Sequence, residues 1–145
     1  MPPQMAHGYA RAYQTQAVFT ASPGQLVLML FDGVLKSLAI TRDAFSMPPE
    51  DMRRIAVINQ QLIKAQNIIT QLQATLNLEA GDGKFAQEMY RLYDYYNRRL
   101  MDANIKKEVA PVVEVERLIG EVRNAWAEML RQQDQNSSPS IRNVA

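Results

Sequence analysis

Apolar residues recur every three or four positions along most of this chain, and hardly any stretch alternates with period two. The pattern predicts helices and argues against strands. The first periodic segment opens on Ser22-Pro23-Gly24-Gln25. Ser22 can accept from the free amides of a first turn, Pro23 suits the first helical position, and Gln25 can reach back to the cap. Val27, Phe31, Val34, Leu38 and Phe45 then form a core stripe, flanked by a second line of Leu26, Met29, Gly33, Ser37, Ile40 and Ala44. The polar arc left over is narrow, and in it Asp32 and Lys36 stand four apart in the favourable acid-first order. A helix apolar over so much of its circumference needs neighbours on both sides.

Met47-Pro48-Pro49 breaks the pattern, and Glu50-Asp51 brings acid to the next first turn, where the helix dipole favours it. Ile55, Ile58, Leu62, Ala65, Ile69, Leu72 and Leu76 follow in alternating steps of three and four, a coiled-coil-like seam that leaves Val57, Ile63 and Ile68 to one side. Gly81-Asp82-Gly83 ends that segment with residues tolerant of positive φ. The third helix carries Phe85, Met89, Leu92, Tyr96, Leu100 and Ala103 in one stripe, beside a line of Ala86, Tyr90, Tyr93, Asn97 and Met101. After a charged corner and Pro111, the fourth buries Val115, Leu118, Ile119, Val122, Trp126 and Met129. Short connections make consecutive helices antiparallel. The expected fold is all-α, an up-down four-helix bundle over residues 22–131 within a single domain of residues 1–145. Residues 1–19 read as a flexible leader and residues 132–145 as a disordered polar tail.

Composition narrows the chemistry. Sixteen Lys and Arg against fifteen Asp and Glu leave a formal charge of +1 in 145 residues, without the basic field of a typical nucleic-acid binder. The chain has no Cys, and its single His is His7 in the leader. Thiol catalysis, cysteine metal sites and Ser-His-Asp triads therefore lack their key residues. The Glu-x-x-His pairs of a di-iron bundle are missing as well. Gly83-Lys84 is followed by Phe85 where a phosphate loop needs a hydroxyl. Rings and cations interleave from Tyr93 to Arg99 and on to Lys106-Lys107, much as in stacking platforms, but around a helix they point in different directions. The longest apolar run, Leu26 to Phe31, is six residues, against about 20 needed to span a bilayer. The sequence thus predicts a cytosolic protein with no catalytic residues, metal or cofactor, and no nucleic-acid partner or membrane insertion.

What remains is surplus apolar surface. Eight Met in 145 residues is generous, and Met suits surfaces that mould to a partner. The flanking lines suggest a groove for a helical or extended segment, with Leu26, Met29, Ile63, Tyr90, Tyr93, Asn97 and Met101 as its residues. Asn97 could hydrogen-bond the main chain of a guest. Tyr9 and Tyr13, two rings in an otherwise polar leader, are candidates for a lid over that groove.

Residues 13–33, YQTQAVFTASPGQLVLMLFDG, and residues 63–108, from IKAQNIITQLQ through LYDYYNRRL to the Ala103-Asn104 helix end, resemble the FliS family of flagellar secretion chaperones. The resemblance implies a cytosolic four-helix protein that binds the disordered C-terminal segment of flagellin one to one. The segment folds partly to helix on apolar grooves and is kept from polymerising before export. The resemblance further implies docking of the pair on the export-gate component FlhA and, in some members, a link to the anti-sigma factor FlgM. Tyr13 corresponds to the leader tyrosine of the family signature. The competing reading is a helical-bundle adaptor or nucleic-acid-binding module without a flagellin client.

Overall fold

In the computed structural model, which describes residues 21–137, Ser22 caps the first helix as its spacing allows. Its Oγ accepts from the Gln25 amide at 3.2 Å, and the Gln25 Oε1 accepts from the Ser22 amide at 3.3 Å. The described residues form four helices and no strand: α1 Pro23–Phe45, α2 Arg53–Ala74, α3 Lys84–Lys106 and α4 Ala110–Ser137. Asp51 precedes α2 rather than entering its first turn, and its carboxylate accepts from the Arg53 amide at 2.9 Å. Gly83 begins α3 at φ 75°, where a Cβ would stand 2.6 Å from the Leu78 carbonyl oxygen. Only glycine fits that turn.

α1 packs on α2 and α4, and α3 packs on the same two helices from the opposite corner. Cross-contacts fix the antiparallel sense. Arg42 near the end of α1 pairs with Glu116 near the start of α4, Asp32 pairs with Arg123 at 2.8 Å, and the Gly24 carbonyl accepts from Trp126 Nε1 at 2.8 Å. Asp32 therefore spends its charge across the bundle instead of on Lys36, because Arg123 on the neighbouring helix reaches it directly. By length and composition α1, whose most apolar 18-residue window has a mean hydropathy of 1.4, could cross a membrane. Here it is a bundle helix that buries Phe31, Val34, Leu38 and Ala44.

The core joins those residues to Ile58, Leu62, Ala65, Ile69 and Leu72 of α2, to Tyr96, Leu100 and Ala103 of α3, and to Val112, Val115 and Ile119 of α4. The α2 seam lies where its periodicity places it, apart from Ile55, which is exposed at the helix start. α3 departs from expectation. Phe85 and Leu92 are exposed, while Ala86 and Tyr93 are buried. The buried line is rotated toward the heptad 86-93-100, because the first half of α3 flanks open space rather than filled core. The tail also differs, since α4 continues to Ser137. Glu128 holds Arg131 and Gln132 at i+3 and i+4, and such pairs support a helix with no buried face.

Along the outer α2–α3 seam runs a polar ladder at heptad spacing. Asn59 Oδ1 accepts from Lys107 Nζ at 2.6 Å, and Gln66 Nε2 donates to the Asn97 carbonyl at 3.1 Å. Gln73 Nε2 donates to the Tyr90 carbonyl at 3.1 Å and to Asp94 Oδ1 at 2.8 Å. Each rung matches one turn position of α2 to one of α3. A slip by one residue would break all three, so the ladder specifies register.

Candidate functional site: an apolar cavity at one end of the bundle

The start of α1, the end of α2, the start of α3 and the end of α4 meet at the same end of the bundle and leave a cavity of about 570 Å³. Val27 and Phe31 of α1 form one wall, and Val122, Ala125, Trp126 and Met129 of α4 another. The third is Phe85, Ala86, Met89 and Tyr93 of α3, closed below by Thr75, Leu76, Asn77 and Ala80 of the α2–α3 connection. A cavity of roughly 150 Å³ holds one benzene, so this one has room for about four side chains of that size. Its depth comes from small residues where larger ones would fit and from the tight approach of α1 to α4. A Cβ on Gly24 would fall 2.5 Å from Leu130 Cδ2.

Polar groups in the wall are few and mostly committed. Trp126 Nε1 donates to the Gly24 carbonyl, and Thr75 Oγ1 donates to the Leu72 carbonyl at 2.7 Å. Besides the exposed Asn77 amide, Tyr93 is the exception. It is 3% exposed, stacks edge-on against Tyr96 at 6.3 Å between ring centroids, and has no hydrogen-bond partner for its hydroxyl within the described residues. Burial pushes its pKa up to about 12, with the neighbouring Tyr96 adding to the shift.

The residues expected to line a groove fall in three places. Ile63, Tyr90, Asn97 and Met101 come together along the outer α2–α3 seam, all but Asn97 exposed. Asn97 Nδ2 donates to Thr70 Oγ1 at 3.4 Å, which leaves its Oδ1 buried without a partner. Leu26 and Met29 sit on the first half of α1, part-exposed and away from that seam. Tyr93 faces the core and the cavity instead of the flank, because α3 is turned so that residues 86 and 93 point inward. Tyr9 and Tyr13 lie outside the described residues. The cavity itself is the site that periodicity missed. Phe85, Met89, Trp126 and Met129 look like ordinary core positions in a helical wheel, and a void leaves no periodic mark.

By fold and site, the molecule is a helical bundle with an apolar receptacle at one end. A family model described as Flagellar protein FliS matches residues 5–133. The chain is 39% identical over 132 residues to the flagellar secretion chaperone FliS of Bacillus subtilis, covering 90% of this chain and 93% of that protein. Against the flagellar secretion chaperone FliS of Escherichia coli it is 40% identical over 123 residues, covering 84% and 86% of the two chains. The Salmonella typhimurium protein of the same name is 37% identical over 122 residues, with 83% and 86% covered. The chain belongs to the FliS family of flagellar export chaperones.

Proposed function

We propose that this protein is a cytosolic chaperone that binds the C-terminal segment of flagellin one to one, prevents its premature polymerisation and presents it to the export gate through FlhA. FlgM is a second partner in this reading. The observation that carries it is the apolar cavity, which offers about four side chains' worth of room and almost no free polar group. A segment entering such a space must bring a backbone already hydrogen-bonded, which favours helix. From the cavity the client continues over the part-exposed Leu26 and Met29 and the seam of Ile63, Tyr90 and Met101, beside Asn97, whose side chain would have to turn outward to accept a main-chain N–H from its buried Oδ1.

Calorimetry with a peptide from the C-terminus of the same organism's flagellin tests this reading, with circular dichroism alongside. Expected are one-to-one binding, gained helicity, a negative heat-capacity change and burial on the order of 1,000–3,000 Å². Trp126, the only Trp of the chain, lines the cavity and reports its occupancy by fluorescence. Affinity should barely change with added salt; a steep fall would indicate phosphate contacts and favour a nucleic-acid-binding module. The leader, with Tyr9 and Tyr13, acts in this reading as a lid over the empty cavity, because it joins α1 beside Val27 and Phe31. Deleting residues 1–19 should raise affinity for the peptide, and an unchanged affinity removes the lid.

A further inference from the structure

We infer that the Tyr93 hydroxyl is the polar anchor of the cavity and donates a hydrogen bond to a main-chain carbonyl of the client, at the end of a helical turn seated against the apolar walls. This inference rests on the reading that a flagellin segment occupies the cavity.

The Tyr93 ring is buried and packed on Tyr96, but its oxygen keeps contact with the open space and has no protein partner among the described residues. A client that fills the space would strip that oxygen of water, and a hydroxyl then left unpaired is destabilising. The partner therefore comes with whatever fills that space. The last turn of any helix leaves carbonyls without intrahelical donors, and a helix end pushed into this cavity would lose water from them. The other donors of the wall are spent, Trp126 on Gly24 and Thr75 on Leu72. Asn77 also borders the cavity, but it is exposed, so its Nδ2 remains a solvated donor at the rim. Among the described residues Tyr93 is the donor of the buried wall left to meet the carbonyl, and its phenol is neutral at physiological pH with or without the upward shift.

Tyr93→Phe removes the oxygen and keeps the ring. In the full-length protein it should weaken the flagellin C-terminal peptide about five- to tenfold, the scale of one neutral hydrogen bond, while the melting temperature of the free protein holds or rises. Lost affinity without lost stability distinguishes an anchor for the client from a group that stabilises the bundle. Amide-to-ester replacements along the peptide then locate the carbonyl. One position should weaken binding to the native protein and have no effect with Tyr93→Phe, a coupling read by a double-mutant cycle. Equal affinity of both proteins for the peptide overturns this inference alone. A fall in melting temperature with affinity retained also overturns it, because the hydroxyl would then serve the free protein. Additive ester effects at every position exclude the main-chain carbonyl. A peptide that fails to bind the native protein overturns the underlying reading and this inference with it.

Discussion

Phe85 separates folding from binding more cleanly than any other residue of the cavity. Its side chain lines the space yet is 67% exposed, so the fold has captured only about one-third of its burial and a seated client would capture the rest. Full burial of a Phe side chain contributes roughly 1.5–3 kcal/mol. Two-thirds of that is about 1–2 kcal/mol, or about 5- to 30-fold in dissociation constant. The third already captured is roughly 0.5–1 kcal/mol, and the better helix propensity of Ala offsets part of it in the first turn of α3. Phe85→Ala should therefore weaken the flagellin peptide by that factor in calorimetry and shift the melting temperature by about 3 °C or less. Leu78→Ala is the control, because Leu78 is also about half exposed, at 51%, but lies outside the cavity. It should leave the dissociation constant within about twofold. Equal effects of the two substitutions, or none from Phe85→Ala, would refute the assignment of the cavity as the client's seat.

The polar ladder makes its own prediction. Gln66→Leu should cost about 1 kcal/mol in urea unfolding, the usual net worth of one such hydrogen bond, and Gln73→Leu, which loses bonds to both the Tyr90 carbonyl and Asp94, about 1–2 kcal/mol. The double substitution should be additive within about 0.5 kcal/mol, and no loss in either would mean that register is held elsewhere. Alkaline titration probes Tyr93. Its pKa rises from 10.0 to about 12 on folding, so the neutral form is favoured in the bundle. That contribution to stability is complete below pH 10 and disappears as the pH climbs toward 12. Ultraviolet absorbance should show one late-ionising tyrosine fewer in Tyr93→Phe, with Tyr96, also raised by burial, remaining.

Much of the bundle is legible in the sequence because local and tertiary signals agree there. The Ser22 capping box, the α2 seam from Ile58 to Leu72 and the Gly83 turn each follow from residue chemistry at fixed spacing. The face of α3 does not follow, since its apolar residues cover more than one face and only the neighbours choose which side turns inward. Tyr93 could be singled out by its position beside the main stripe, but its burial depends on that rotation. The pairing of Asp32 with Arg123 joins residues 91 apart in sequence, where a helical wheel offers only Lys36. The cavity is hardest to foresee, because it is made of missing volume. Ala80, Ala86 and Ala125 contribute to it by being small, and a small apolar residue carries no sign of whether its neighbour fills the gap.

Those alanines bear on how such a protein evolves. Ala86 is 6% exposed at the cavity wall, and each methylene added there and buried would contribute roughly 0.8 kcal/mol. Selection for heat resistance alone would thus enlarge it and close the space with ordinary core. The described residues instead leave this space unfilled, at a cost in stability that the proposed binding of a client would explain. Thermostable variants raised without a client should drift toward bulk at position 86, and would be sturdier proteins with nothing left to carry.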